Sequence, residues 1–389
     1  MQNFAIIKVI QKEFDRIRKS GATIFFYIAL PVTLFLIFSA IYKGSLVHEL
    51  PIAVVDFNDS ELSHTIIKYY ESSSAIKIVK YLSSVDEIKR EFKKGHIDGA
   101  LYLPERLDET VKAGRQASIV LYINSTNIIK NNYLLNDGLK IIKTVSAGAL
   151  LKKLRSAGLT GDQAMGIINP IKVETQVLYN SNYSYSKYLV PALTTFALSM
   201  IIMLVSSTLY NNTSVKNSFN EIAETAKYSA FRILAGRAFP HLFFYFVNIL
   251  LMICIIFPLM NIDFGNNIPG AVLFTLFFAC CIFFTGTAIS LIVGKEMMAT
   301  EVTLFIITPS FLYSGLTFPL WGMPSIHEHI GMLIPYTHFL KGLMEIYMMD
   351  LPFADTLPEV LILGAFGAAG FLVSYIALRL KLKKILPVK

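Results

Sequence analysis

Residues 22–42 read ATIFFYIALPVTLFLIFSAIY and contain no Asp, Glu, Lys or Arg. A helix of roughly 20 apolar residues crosses the hydrocarbon core of a bilayer. Five further stretches lack these four residue types over comparable lengths, at 188–210, 238–260, 270–294, 302–320 and 360–378. One such stretch is also compatible with a buried helix of a soluble protein, but six leave too little sequence to cover them. We therefore predict a polytopic α-helical membrane protein with six transmembrane helices.

The composition supports this class, because the mean hydropathy is +0.54, hydrophobic residues make up 54% and charged residues only 16%. Residues 22–42 are longer than the apolar part of a usual signal peptide and lack a small-x-small cleavage pattern before Lys43. We therefore expect this segment to remain as transmembrane helix 1.

The distribution of Lys and Arg predicts the orientation, since short cytoplasmic segments collect these residues. Basic residues precede the first stretch, lie at 211–237 and at Lys295, and follow the last stretch. The opposite connections are nearly free of them, with only Lys341 between 320 and 359. Both termini are therefore predicted to be cytoplasmic. The net charge of +8 is explained by this topology and is not interpreted as nucleic-acid binding.

Residues 43–187 differ from the rest of the chain, because short β-branched runs alternate there with helical patterns. Strands are predicted at 52–57, 76–82, 99–104, 118–124 and 171–179, and one long amphipathic helix at 127–155. This segment follows transmembrane helix 1 and precedes transmembrane helix 2. We therefore predict an inserted external α/β domain at 43–187, with transmembrane helices 2–6 at 188–389.

The first 21 residues predict a cytoplasmic amphipathic interfacial helix. Five apolar side chains recur on one helical stripe, opposite Lys12, Asp15 and Lys19; they are Phe4, Ile7, Ile10, Phe14 and Ile17. Such a helix serves as a membrane anchor, as a contact for a partner subunit, or as both.

No catalytic, cofactor or metal site is predicted in this chain. The carboxylates of 43–187 are scattered, and no Gly-x-x-x-x-Gly-Lys-Ser/Thr loop is present to bind a nucleotide. His327, His329 and His338 raise the possibility of a metal site. We expect none, because neighbouring residues of a helix point in different directions.

Three sequence patterns carry a resemblance to a known family. The first is LPIAVVD at 50–56 followed by DSELS at 59–63, and the second is GHIDGALYLP at 95–104. The third runs through SGLTFP at 314–319, the pair Met323-Pro324 and IPYTHF at 334–339. Over nearly its whole length the chain resembles the permease subunits of ABC transporters of the type-2 exporter family, in the branch with a large external domain between transmembrane helices 1 and 2.

This resemblance implies an external re-entrant region at 314–350. Three prolines divide its apolar sequence into pieces too short to span a membrane, and an ordinary external loop in the headgroup region is the alternative. The residues expected to form an external gate are Gly315, Phe318, Pro319, Met323, Pro324 and Pro335.

The resemblance also implies two ABC ATPase subunits that bind ATP and magnesium, and a second permease chain, identical or related. The cytoplasmic loop at 211–237 is then the expected coupling element, with Glu221, Glu224, Arg232 and Arg237 as candidate contacts. The chain departs from the family's usual Glu-rich and Arg-Gly-Thr pattern in this loop.

The predicted function is ATP-driven export of an amphiphilic or hydrophobic substrate across a bacterial cytoplasmic membrane, without catalysis by this chain. One alternative is a membrane receptor or signalling protein with an external ligand-binding domain. A membrane enzyme is a third reading, for which the predicted spans offer only His241 as an interior ionisable residue.

Overall fold

The computed structural model describes residues 2–42, 49–171, 176, 178–180, 184–211, 213–262, 264–265 and 267–385. The chain divides into two compact units. One unit combines Met1–Ser45 with Val177–Lys389, and the other, Leu46–Gln176, lies inside the predicted domain 43–187.

The chain begins with two helices of the first unit. Helix α1 is Gln2–Lys19, and helix α2 is Gly21–Ile41, with a π-helical turn at Phe25–Ala29. Ser20 separates the two helices, and its side chain accepts a hydrogen bond from the backbone N–H of Thr23. Helix α2 therefore follows α1 after this single cap residue.

The second unit is built on a four-stranded sheet. Its elements are, in chain order, β1 (Leu50–Asp56), α3 (Glu61–Glu71), β2 (Ile76–Tyr81), α4 (Val85–Lys93), β3 (Gly99–Leu103), α5 (Leu107–Lys112), β4 (Val120–Ile123), α6 (Ile128–Ser156) and α7 (Gly161–Ile168). The strand order is β2-β1-β3-β4, with β1 parallel to β2 and β3, and with β4 antiparallel to β3.

Alternate residues of β1 fill two cores, one on each face of the sheet. Ile52 and Val54 pack in a core with residues of α3 and α6, whereas Ala53 and Val55 pack with Ile88 of α4. This two-sided burial explains why the strand reads as a continuous apolar run. The strand predicted at 171–179 falls largely outside the described residues.

The sequence places the long helix of this unit correctly and predicts its buried face in part, from an apolar stripe that includes Leu135, Leu139 and Val145. The predicted helix at 127–155 is α6, yet Leu135 and Leu139 of the predicted apolar stripe are exposed. Val145 of the same stripe is buried as predicted, and the other buried positions are Leu134 and Gly138. Apolar residues lie on two adjacent faces of α6, and only its packing neighbours decide which face is covered.

The remaining helices belong to the first unit. They are α8 (Tyr185–Thr208), α9 (Thr213–Thr225), α10 (Ala230–Leu259, with a π-helical segment at Met252–Ile256), α11 (Ile268–Val293), α12 (Glu296–Tyr313), α13 (Ser325–Met332), α14 (Pro335–Met348) and α15 (Leu357–Lys383).

Five helices among the described residues are long and apolar enough to cross a membrane; they are α2, α8, α10, α11 and the segment Phe353–Lys383 that contains α15. The predicted span at 302–320 is wrong in its bounds. The helix there, α12, begins at Glu296 and ends at Tyr313, because Gly315 turns the chain with a φ of 84°. The count of six transmembrane helices stays a prediction.

Helix α11 lies at the centre of this unit and packs against α8 and α15. Its contact with α15 is close: a Cβ atom added at Gly370 would lie 2.8 Å from the backbone nitrogen of Thr285. Small residues permit such an approach between helices in lipid, where van der Waals packing drives association. The glycines of the last helix that contact α11, Gly367 and Gly370, therefore serve packing within the chain.

Candidate functional site

Helix α1 packs on α10 along a seam that differs from the predicted apolar stripe. Four residues spaced by one helical turn are buried: Ala5, Val9, Glu13 and Ile17. Opposite Val9, a Cβ atom at Gly236 would lie only 2.7 Å from the Val9 Cγ1 atom. Of the predicted stripe, Ile7 is 48% exposed, and among the members whose side chains the structure describes only Ile17 is buried. The seam that holds α1 in place therefore contains a carboxylate.

Three basic side chains surround this carboxylate. The Nε of Arg237 donates to Glu13 Oε2 at 3.0 Å, and Arg16 Nη2 lies 2.6 Å from Glu13 Oε1. His241 Nε2 lies 2.9 Å from the same Oε1 atom. Arg237 Nη2 also donates to the backbone oxygen of Leu209 at 3.1 Å, at the end of α8. We call Glu13, Arg16, Arg237 and His241 the polar cluster.

Aromatic side chains close the polar cluster on the side of the membrane helices. The Tyr27 hydroxyl of α2 is hydrogen-bonded to His241 Nδ1, and the Arg237 guanidinium lies 4.4 Å from the centre of the Tyr210 ring. One neutral tautomer satisfies both histidine contacts, in which Tyr27 donates to Nδ1 and the Nε2–H group donates to Glu13. The polar cluster therefore joins α1, α2 and α10 and reaches the end of α8.

Glu13 is charged in this environment. Burial alone would raise its pKa, but the nearby Arg237 guanidinium, and then His241 and Arg16, hold the pKa of Glu13 well below its usual range. A buried ion pair is costly to break, because removal of one partner leaves the other charge uncompensated. Loss of either Glu13 or Arg237 would therefore destabilise the contact between α1 and α10.

Helix α9 contacts α1 on its polar side. Lys12 Nζ lies 2.7 Å from Glu221 Oε1 and donates to Thr225 Oγ1 at 2.9 Å. These two charged side chains are exposed, so the ion pair itself adds little stability. The apolar side of α9, with Phe219 and Ile222, is buried in the main core. Helix α9 is thus anchored by apolar contacts and presents its acidic side chains to the surroundings.

The structure separates the four predicted coupling residues into two groups. Glu221 and Glu224 are exposed, and Arg232 is half-buried with its guanidinium donating to the backbone oxygen of Ala226 at 3.3 Å. Arg237 is fully buried in the polar cluster. The guanidinium of Arg237 is bonded to Glu13 and Leu209 within this chain, and the expected partner contact through Arg237 stays a prediction.

Sequence reasoning missed Glu13 and Arg16 as members of a site. The signal was available in the spacing of Ala5, Val9, Glu13 and Ile17, which share one helical face. A stronger apolar stripe on an adjacent face concealed it. His241 was noted as an interior ionisable residue, but the sequence did not identify its partners.

The region predicted as a gate contains two short helices, α13 and α14, which we call the hairpin. Pro335 occupies the first turn of α14, and Pro324 directly precedes α13. Two of the three prolines therefore begin helices, where a missing N–H costs nothing. Phe318 is 53% exposed, Pro319 is also exposed, and Met323 is half-buried.

Two tyrosine hydroxyls fix this region to α8. Tyr336 donates to the backbone oxygen of Ala192 at 2.5 Å and lies 3.2 Å from Thr195 Oγ1. Tyr188 donates to the backbone oxygen of Leu316 at 2.8 Å, in the turn that Gly315 permits. The gate residues Gly315 and Pro335 are thus immediate neighbours of the anchoring contacts.

The hairpin histidines do not converge on one point. His327 is hydrogen-bonded to the Tyr313 hydroxyl at 2.9 Å, and His329 Nδ1 and His338 Nε2 contact backbone oxygens of their own segment at 2.5 and 2.7 Å. In the second unit, Asp56, Asp59 and His64 bring ligand atoms within 4.8 Å of one another. Asp59 and His64 are exposed, and His64 is paired with Asp59 at 2.8 Å.

Comparison with known proteins gives a family for this arrangement. Residues 22–376 match the family model described as ABC-2 family transporter protein. The inner membrane transport permease YhhJ of Escherichia coli (strain K12) is 22% identical over 339 residues, which cover 85% of each chain, and YhhJ of Shigella flexneri matches equally.

A eukaryotic relative is also found. ABC transporter G family member 20 of Dictyostelium discoideum is 22% identical over 353 residues, which are 88% of this chain but 46% of the relative. The family match covers most of the chain and includes all five candidate membrane helices except the end of the last. The chain therefore belongs to the ABC-2 family of transporter proteins, and it is a multi-pass membrane permease of that family.

Proposed function

We propose that this chain is the permease subunit of an ATP-driven exporter in a bacterial inner membrane, with both termini in the cytoplasm. A separate ATPase subunit binds and hydrolyses ATP with magnesium. The observation that carries the proposal is the connection of α9 to α1 through Lys12 and Glu221, and of α1 to α10 through the polar cluster. This connection forms a continuous path from an exposed acidic surface into a membrane helix.

In this mechanism the ATPase contacts the exposed side of α9, where Glu221 and Glu224 lie. Movement of α9 shifts α1, and the buried pair between Glu13 and Arg237 obliges α10 to follow. Because Tyr27 of α2 contacts the same cluster, the first membrane helix moves with them. Arg237 therefore transmits the movement from inside the protein.

On the opposite side of the membrane, the hairpin acts as the external gate. Its anchor to α8 passes through Tyr336, the residue after Pro335, so a shift of α8 is transmitted to the hairpin. A second permease chain completes the translocation path, and the exposed Phe305 and Leu312 of α12 offer apolar surface for it. The substrate is amphiphilic or hydrophobic.

Purification from native membranes tests the partner. We expect an ATPase with a phosphate-binding loop to co-purify and to hydrolyse ATP with vanadate sensitivity. Charge reversal of Glu221, Glu224 and Arg232 is expected to reduce this co-purification at least severalfold. The matched control reverses three exposed residues of the second unit, Glu105, Glu109 and Arg115. Equal recovery of the ATPase with both triple variants would show that the ATPase does not bind to α9.

The gate is tested by a double variant with Gly315→Ala and Pro335→Ala. Gly315 has a φ of 84°, which alanine adopts only with strain, and Pro335 starts the helix that carries Tyr336. We expect slower export of ethidium, a fluorescent amphiphilic cation, while the ATPase stays bound. The control is Pro352→Ala, an exposed proline outside the hairpin. Normal export by the double variant would contradict the gate assignment.

A further inference from the structure

A groove of about 310 Å³ lies between α1 and α9, beside the polar cluster. Basic, acidic and apolar side chains line it; they are Val9, Lys12, Glu13, Asp15, Arg16, Lys19, Glu221 and Ile222. The volume is many times the roughly 15 Å³ that a single water requires on this kind of measure. The groove therefore has room for a polyatomic ligand.

The charges in and behind this groove do not balance. Lys12 pairs with Glu221 at 2.7 Å, and Asp15 pairs with Arg18 at 3.7 Å. Glu13 is shared by two guanidinium groups, those of Arg16 and Arg237. Within the described part of the chain Lys19 makes no ion pair, so the excess of positive charge belongs to Lys19 and to one of the two arginines.

Two hydrogen-bond donors in the polar cluster confirm that the acceptors present are too few. Arg16 Nη1 and Arg237 Nη1 are both buried and find no acceptor among the described residues. An unsatisfied buried donor on a charged group is costly, so the carboxylates present do not satisfy both guanidinium groups. Arg16 lines the groove and its side chain is 29% exposed, so a ligand there can contact this side chain.

The position of α1 indicates what kind of anion reaches the groove. Its basic residues Lys8, Lys12, Arg16 and Lys19 follow one helical stripe, while Ile7 on the far side is 48% exposed. A helix with basic residues on one side and exposed apolar residues on the other is typical of a membrane surface, where basic residues contact lipid phosphate groups. Guanidinium matches phosphate oxygens in a two-pronged geometry.

We propose that the groove between α1 and α9 is a phosphate-binding site, with Arg16 and Lys19 as its direct contacts. An acidic phospholipid headgroup and a soluble phosphate are the two sources of this ligand. Occupancy supplies phosphate oxygens to Arg16 and Lys19, two cations that line the groove. The inference does not depend on the ATPase, because all the residues that carry it belong to this chain.

The test is native mass spectrometry of the full chain in detergent, titrated separately with phosphatidylglycerol, with phosphatidylcholine and with inorganic phosphate. We expect phosphatidylglycerol to bind in preference to phosphatidylcholine. Lys19→Gln should weaken that binding about fivefold, and Arg16→Gln with Lys19→Gln about thirtyfold, from the usual contribution of one basic residue near a lipid surface. Lys19→Gln leaves the Glu13 pairs intact, so it reports on the site even if the double variant folds poorly.

Lys8→Gln is the matched control, because Lys8 lies on the same basic stripe but does not line the groove. It should retain wild-type binding. Binding of inorganic phosphate with the same variant pattern, and no preference for phosphatidylglycerol, assigns the site to a soluble phosphate. Equal losses in Lys8→Gln and Lys19→Gln, or no ligand with either source, would overturn the proposal. A change in ATPase co-purification alone would identify the groove as a protein contact instead.

Discussion

At the contact of α1 with α10 a carboxylate and three basic side chains are buried together, whereas the hairpin and the turn at Leu316 contact α8 through two neutral tyrosine hydroxyls. Both regions join a short element to a membrane helix. They differ in the free-energy cost of breaking the contact, because an unpaired buried charge is far more costly than an unpaired backbone oxygen. We infer that the contact of α1 with α10 stays closed during transport and that the hydroxyl contacts with α8 are the ones able to open.

The largest expected effect comes from Glu13→Gln, which leaves the Arg237 charge without its counter-ion in a buried site. We expect a loss of about 3–5 kcal/mol in unfolding free energy, measured by thermal or denaturant unfolding in detergent. The exposed Asp15→Asn on the same helix is the control and should cost little. If Glu13→Gln and Asp15→Asn unfold alike, the polar cluster does not hold the contact between α1 and α10.

The pH dependence sharpens this prediction. The pKa of Glu13 is depressed by Arg237. Its contribution to the unfolding free energy is therefore fully present above about pH 4, the usual carboxyl range, and is lost only as the pH falls through the pKa of the folded state. The stability difference between wild type and Glu13→Gln should therefore be the same at pH 6 and at pH 8. A difference that changes between these two values would mean that another group titrates in the cluster.

The second largest effect is expected from steric overpacking at the same contact between α1 and α10. Gly236→Ala places a Cβ atom 2.7 Å from Val9 Cγ1, and we expect a cost of about 1–3 kcal/mol from overpacking. Adding Val9→Ala should recover only part of this loss, because the Val9 Cβ atom would still lie 2.8 Å from the new Cβ atom, but a general helix defect would allow no recovery. Gly364→Ala is the control, since its Cβ atom would meet Phe277 at an ordinary 3.5 Å.

At the hairpin the expected effect is smaller. Tyr336→Phe removes a neutral hydrogen bond, and Thr195 keeps its own bond to the Pro191 backbone oxygen at 2.7 Å. We expect a loss of about 1 kcal/mol, together with an altered rate of ethidium export. Tyr313→Phe, which loses only an exposed contact with His327, is the control. A loss as large as that of Glu13→Gln would remove the distinction between the two contacts.

The smallest effect on stability is expected for Lys12→Gln, because the pair with Glu221 is exposed. The midpoint of thermal unfolding should stay unchanged within error. Co-purification of the ATPase should fall if α9 is the docking element, and the fall should diminish at high salt, where surface charges are screened. A clear drop in the unfolding midpoint would show that this pair is structural.

Much of the fold follows from the sequence, because charge-free runs of about 20 residues and β-branched runs have direct physical causes. The five candidate membrane helices and four strands lie close to their predicted positions. The span predicted at 302–320 has the wrong bounds because the absence of charged residues does not show where a helix ends. The helix ends at Tyr313, before the turn at Gly315 and inside the charge-free run. The branch with a large external domain, the orientation and the gate stay predictions.

The sequence by itself determined the family, the membrane helices and the residues available for coupling, since these depend on composition and on local order along the chain. Only the tertiary structure decided that Glu13, and not the apolar stripe beside it, faces α10, and that Arg237 is buried instead of exposed. Helical periodicity shows that a helix has faces, but which face is covered depends on neighbours more than 200 residues away in the chain. The polar cluster is a product of that packing.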